Sequence, residues 1–186
     1  LSVIAETINT IFGAAPYHFK STSIGLLYIA TFIGGVLGSV VAGKGSDIIV
    51  RVMCRHNKGV YEPEFRLVMI LPVMFTSAIG LMGFGWSSFK EDLWIVPAVF
   101  LGILGFGVSL ASTVSITYTV DCYRKVAPEA LVSLNIFKNV LGLVFSIFVP
   151  YFFESSGAKT SYVVYGCIEI GLCLLVFPLY RYGKVI

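Results

Sequence analysis

Two charged residues, Glu6 and Lys138, lie inside long apolar stretches of this sequence. At about 1.5 Å per residue, Glu6 lies roughly 15 Å from the end of its stretch at Pro16, and Lys138 lies at a similar depth beyond Pro128. A charge at the centre of a hydrocarbon layer costs at least ~2.5–3.5 kcal/mol on insertion scales, so such a residue usually faces a partner or water. The pattern predicts a polar network of these two charges with nearby amides, namely Asn9, Asn135 and Asn139. The network is either a static pair that fixes helix packing or a site that binds a proton or a cationic substrate. Glu169 ranks lower, since its stretch is expected to face lipid.

A second set of charges follows the stretch that ends at Gly43. Ser46 and Asp47 are typical of a helix start, and Asp47 and Arg51 are spaced to share one helical face. The pattern predicts a short amphipathic helix on the membrane surface, ended by Gly59. We expect Asp47 to pair with Arg51, with further contacts from a set of downstream charges: Arg55, Glu62, Glu64 and Arg66. The alternatives are a conformational latch or a solvated loop.

The residues that usually carry catalysis or bind metals are not arranged for either role. His18 and His56 fall in connections on opposite sides of the predicted bundle, so they cannot share a metal or a triad. The cysteines have no paired spacing for zinc; they are Cys54, Cys122, Cys167 and Cys173. The sequence therefore predicts no enzyme, no cofactor and no metal site.

The elements that position these residues follow from composition. Hydrophobic residues make up 57% of the 186-residue chain and charged residues 12%, against about 45–50% and 25% in soluble domains. This composition excludes a water-soluble enzyme and a nucleic-acid binder. Several runs exceed the ~20 residues that cross a bilayer as a helix. We predict an all-α, polytopic bundle in the lipid bilayer, with a partial first span at 1–17, complete spans at 22–43, 66–88, 93–120, 129–153 and 160–180, and a cytoplasmic loop at 44–65.

The basic residues predict the orientation of the spans. Nine lysines and arginines fall on one side of the predicted bundle, three on the other, and Lys138 within a span, which accounts for all 13. The richer side should be cytoplasmic, so both ends of this chain should face the cytoplasm. The nine are Lys44, Arg51, Arg55, Lys58, Arg66, Arg124, Lys125, Arg181 and Lys184, and the three are Lys20, Lys90 and Lys159.

Small and hydroxyl-bearing residues predict where helices meet. Gly34, Gly38 and Ala42 have small-xxx-small spacing, so another helix can approach this face closely, as a static contact or as a sliding one. The fourth span contains three further glycines that permit close packing, namely Gly102, Gly105 and Gly107. It is also rich in hydroxyls, Ser112 among them, which either bond to their own helix or line a polar path.

The run from Gly43 to Asp47, followed by Arg51, resembles the loop signature of the major facilitator superfamily, although Ile48 and Val50 depart from it. Further segments look like fungal members grouped with proton-coupled drug and polyamine antiporters: residues 61–67, 121–123 and 135–139.

The resemblance implies the second six-helix half of a twelve-helix transporter with its first helix truncated. It further implies alternating access, proton-coupled export of small molecules across the plasma membrane, and an N-terminal six-helix half as partner. The implied substrate and proton pathway comprises Glu6, Asn9, Tyr28, Ser112, Asn135, Lys138 and Asn139, and the implied gating loop contains Asp47, Arg51, Glu64 and Arg66. An inactive fragment and a channel or receptor bundle are the alternatives.

Overall fold

The computed structural model describes residues 7–8, 11–13, 19–90 and 93–182. These ranges are mainly helical and contain no β-strand. The elements are α1 (Ser21–His56), a 3₁₀ helix (Pro63–Met69), α2 (Ile70–Lys90), α3 (Ile95–Cys122), α4 (Ala127–Leu174) and α5 (Val176–Tyr182). Four stretches of this helical structure are long and apolar enough to cross a membrane. The predicted all-α bundle is confirmed, and the chain is a multi-pass membrane protein.

Helix α3 lies between α1 and α2. Gly34 of α1 contacts Gly102 of α3, and Gly38 contacts Phe106. Residue numbers therefore increase in the same direction along both helices, so the two helices run parallel. Helix α2 runs the opposite way, because Gly80 lies beside Leu104 whereas the earlier residue Ser77 lies beside Gly107. One end of the bundle therefore holds His56, the 3₁₀ helix and Cys122; we call it the cationic end.

The contact between α1 and α3 is backbone against backbone. A Cβ atom added to Gly34 would lie 2.0 Å from the Gly102 carbonyl oxygen, and one added to Gly105 would lie 2.4 Å from the Thr31 carbonyl oxygen. Real Cβ contacts are never this short, so both positions exclude any other residue without a shift of the helices. The predicted close packing at these glycines is confirmed.

Helix α4 contains a sharp reversal at Gly157, whose φ of 75° favours glycine. The Tyr165 hydroxyl lies 3.5 Å from the Val149 carbonyl oxygen, although 16 residues of straight helix would separate them by about 24 Å. The two arms of α4 therefore fold back on each other. Its second arm packs on α2, where a Cβ on Gly85 would clash with Tyr162. The predicted first span, 1–17, lies mostly outside the described residues.

The predicted helix start at Ser46 and Asp47 is wrong. Helix α1 is continuous from Ser21 to His56, so these residues lie inside it. Tertiary packing explains the continuity: Ala42 and Ser46 are buried, and Ile49 packs on the same core cluster as Ala42. A cap residue begins a helix only where the preceding backbone leaves the helical conformation, and here the packed face keeps it helical.

Adjacent glycines in α1 allow a matched test of this packing. We expect Gly34→Ala to destabilise the complete protein by about 1–3 kcal/mol, because the new methyl group is forced into the α3 backbone. Gly35→Ala should be neutral or slightly stabilising, since no atom lies within 4 Å of its added Cβ and alanine favours a helix. Thermal unfolding in detergent measures both variants; equal melting temperatures would contradict the packing described.

Candidate functional site

A cluster of polar side chains joins three elements at the cationic end. Arg66, in the 3₁₀ helix, donates from Nε to Oδ2 of Asp121, the last acidic residue of α3, at 2.5 Å. Its Nη1 atom donates to Oγ of Ser46 in α1 at 2.9 Å and to Oδ1 of Asp47 at 3.4 Å. One guanidinium therefore connects α1, the 3₁₀ helix and α3.

Asp121 accepts a second hydrogen bond, from the Tyr61 hydroxyl to the same Oδ2 atom. Burial, followed by the hydrogen bond to Asp121, raises the pKa of the Tyr61 hydroxyl above its ordinary value. The hydroxyl therefore keeps its proton at neutral pH and acts as a donor to the carboxylate. The Arg124 guanidinium lies 5.8 Å from the centroid of the Tyr61 ring, a cation–π distance. We call Ser46, Asp47, Tyr61, Arg66 and Asp121 the charge cluster.

The two ion pairs of the charge cluster differ in how deeply their acidic side chains are buried. The side chains of Arg66 and Asp121 are 16% and 19% exposed, whereas that of Asp47 is 63% exposed. An exposed ion pair contributes about 0–1 kcal/mol, while hydrogen bonds to charged groups contribute about 1.5–3 kcal/mol. The Arg66–Asp121 pair is therefore the main ion pair that stabilises the cationic end, and the pair of Arg66 with Asp47 contributes little stability.

The predicted pairing of Asp47 with Arg51 is wrong. Asp47 pairs with Arg66, and Arg51 is exposed and makes no ion pair with any described residue. The reason is the course of the chain: the 3₁₀ helix returns against α1 and places Arg66 beside Asp47. Glu64 lies near Tyr118 and Cys122 of α3 and stays outside the cluster.

Sequence reasoning missed Asp121 and Tyr61 as members of the cluster. The signal available for Asp121 was its place as the first acid after the charge-free run of residues 93–120. Nothing local in the sequence indicates that Tyr61 reaches Asp121, from which it is separated by 60 positions in the chain.

The implied pathway residues that the structure describes lie apart from the charge cluster. Glu6 and Asn9 are outside the described residues, so the predicted network with Lys138 has no described partner there. Lys138 and Asn139 are exposed on the first arm of α4. The Asn135 amide donates to the Leu131 carbonyl of its own helix at 3.0 Å. No hydrogen bond or ion pair joins the pathway residues that the structure describes.

Tyr28 and Ser112 lie on α1 and α3. Tyr28 is 37% exposed and lies near enough to Tyr162 of α4 for an electrostatic interaction. The Tyr162 ring is fully buried, and its hydroxyl is hydrogen-bonded to Thr7. Ser112 is exposed, in the part of α3 that lies closer to the charge cluster.

Comparison with known proteins identifies fungal proteins that are similar to this chain. No family model matches the chain, and no solved structure matches it significantly. The chain is 28% identical to Protein HOL1 of Saccharomyces cerevisiae over 184 residues, which cover 99% of this chain and 31% of that protein. It is 29% identical over 186 residues to the MFS transporter cpaT of Aspergillus oryzae, covering 100% of this chain and 37% of the relative. It is 28% identical over 184 residues to the MFS-type transporter atr4 of Stereocaulon alpinum, covering 99% and 33%.

The chain thus spans about a third of the length of these curated relatives. Two of them, cpaT and atr4, are transporters by name, which agrees with the predicted class. The helical bundle, the membrane-spanning lengths and the end-to-end alignment agree with the predicted resemblance: along its whole length the chain is similar to fungal transporters of the major facilitator superfamily.

Proposed function

We propose that the complete protein is a secondary active transporter that exports small molecules by alternating access, driven by protons. In this proposal the 186 residues form the second of two six-helix bundles, with membrane spans at the boundaries predicted from the sequence. The cationic end faces the cytoplasm, and the membrane is the plasma membrane.

The observation that carries the proposal is the exposed first arm of α4. Among the described residues, the apolar side chains of this arm are largely uncovered, including Phe137 at 67%, Leu143 at 63% and Ile147 at 62% exposed. Lys138 lies in the middle of this arm and is exposed. A charge at that depth requires water or a polar partner. Because the first arm of α4 carries its lysine on the outside of the bundle, this arm suits a polar path that is shared with a second bundle.

Helix α1 has the same property. One side of it carries exposed apolar side chains, including Ile29, Phe32 and Val36, while another side packs on α3. Exposed faces on α1 and α4, outside the tight contacts that α3 makes with α1 and α2, suit a bundle that moves as a rigid body against another. Rigid-body rocking of two bundles is the general mechanism of alternating access.

The charge cluster has a supporting role in this mechanism. It joins the ends of α1 and α3 within a single bundle, so it holds that bundle rigid and does not itself close a gap between bundles. Asp47 is the exposed member and is the residue available to contact another part of the protein. We therefore propose that the Arg66–Asp121 pair keeps the bundle rigid and that Asp47 makes any gating contact.

Lys138 allows a direct test of the pathway. In the complete protein, Lys138→Met should lower gradient-driven transport at least several-fold while expression and melting temperature stay normal. The matched control is Lys125→Met, which removes the same charge from an exposed position beyond α3 and should leave transport unchanged. A panel of candidate substrates in efflux assays provides the readout. Normal proton-coupled transport by Lys138→Met would remove Lys138 from the pathway.

The two aspartates of the charge cluster differ in burial and in the hydrogen bonds that they accept, so they provide a comparison. Asp121→Asn should destabilise the complete protein by about 1.5–3 kcal/mol, because Arg66 loses its charged partner. Asp47→Asn should cost about 0–1 kcal/mol and should instead change the ratio of inward-open to outward-open protein. Thermal unfolding measures the first effect and cysteine accessibility from the cytoplasm the second. Equal destabilisation by both variants would be inconsistent with the described burial.

A further inference from the structure

The part of α1 beyond the predicted bilayer core has one strongly basic face. Lys44, Arg51 and Arg55 are all exposed, and their spacing of seven and four residues places them on one side of the helix. We call these three residues the basic stripe. Ile48 and Val52, which are 58% and 49% exposed, lie beside it.

The opposite face of this segment is occupied by the fold. Ser46 is buried and accepts a hydrogen bond from Arg66, and Ile49 packs on the core cluster of Met69 and Val73. Asp47 is the one acidic residue on α1 beyond Gly43, and its charge is directed to Arg66. The basic stripe therefore makes no ion pair with any described acidic side chain.

The stripe begins where the hydrocarbon layer should end. Residues 22–43 of α1 contain no acidic or basic side chain and rise about 33 Å, close to the ~30 Å thickness of a bilayer core. Along this stretch the same face of α1 carries exposed aliphatic residues, including Leu37 at 56% and Val40 at 52%. The face thus changes from aliphatic to cationic at Lys44, as the lipid itself changes from acyl chain to phosphate.

We infer that the basic stripe is a docking surface for anionic phospholipid headgroups. The acyl chains would lie on the aliphatic face around Leu37 and Val40, and the headgroup would lie against Lys44. Charge complementarity with an anionic leaflet supports this occupant, since basic residues next to a membrane-spanning helix attract acidic lipids. The aliphatic neighbours Ile48 and Val52 suit the interfacial region, where amphipathic helices place apolar side chains.

The geometry predicts a gradient along the stripe. Lys44 lies at the edge of the core, Arg51 about 10 Å further, and Arg55 about 17 Å further. Headgroup attraction falls off within a Debye length of about 8 Å. Lys44 should therefore contribute most to lipid binding and Arg55 least.

The test uses the complete protein in vesicles of phosphatidylcholine with increasing phosphatidylserine. Phosphatidylserine should raise the melting temperature of the wild-type protein, and the triple variant Lys44→Gln, Arg51→Gln, Arg55→Gln should lose at least half of this increase. Among the single variants, Lys44→Gln should lose most, and the charge-preserving Lys44→Arg should behave as wild type. Lys58→Gln is the matched control, since this exposed lysine lies beyond the end of α1; it should retain the full increase. Phosphatidylserine that copurifies with each variant, measured by mass spectrometry, should follow the same order.

Two results would overturn the inference. One is an equal phosphatidylserine effect in the wild-type protein and the triple variant. The other is a triple variant that loses the same stability in pure phosphatidylcholine, which would show that another part of the protein occupies the stripe. If the triple variant does not fold, the single variants and Lys44→Arg decide the matter. The result is independent of transport, so the inference can fail while the proposed function holds.

Discussion

Helix α3 packs on both neighbours at a distance that requires glycine, and the rest of the bundle depends on this contact. Inside a bilayer, burying apolar side chains gives helices little reason to associate, because lipid tails are equally apolar; close van der Waals packing must replace that driving force. Gly34 of α1 and Gly105 of α3 allow this packing between α1 and α3, and Gly80 of α2 allows it between α2 and α3. With α3 held from both sides, the outward faces of α1 and α4 are left for lipid, a second bundle or a polar path.

The charge cluster completes this packing where glycine contacts end. Beyond Ala42 the helices carry polar residues, and a single guanidinium, that of Arg66, satisfies acceptors from α1 and α3 together. The Arg66–Asp121 pair is mostly buried, so it stabilises this end. It also fixes how the ends are oriented, since Asp121 accepts hydrogen bonds from both Arg66 and Tyr61. Glycine thus sets how closely the helices lie, and the cluster sets how their ends are oriented.

Local pattern predicted the helical class and the glycine contacts, because helix spacing shows which small residues share a face. It failed for Ser46 and Asp47, which look like a helix start but lie inside α1, since burial of Ala42 and Ser46 overrides local propensity. It failed again for Asp47, which pairs with Arg66 and not with its helical neighbour Arg51. Contacts between elements that are distant in the sequence depend on how the helices cross, and residue spacing within one helix does not determine this. For the same reason Asp121 was missed as the centre of the charge cluster.

The most direct test of the account is a crosslink between α1 and α3 in the membrane. The hydroxyls of Ser39 and Ser109 lie 2.7 Å apart, so the double variant Ser39→Cys, Ser109→Cys in a background without the native cysteines should oxidise efficiently to a disulfide. Leu37, which is 56% exposed and lies two residues from Ser39 on the other side of the helix, provides the comparison: Leu37→Cys with Ser109→Cys should not crosslink. Efficient oxidation of the first pair alone would support parallel, backbone-close packing of α1 and α3. Failure of the first pair, or equal oxidation of both, would contradict it.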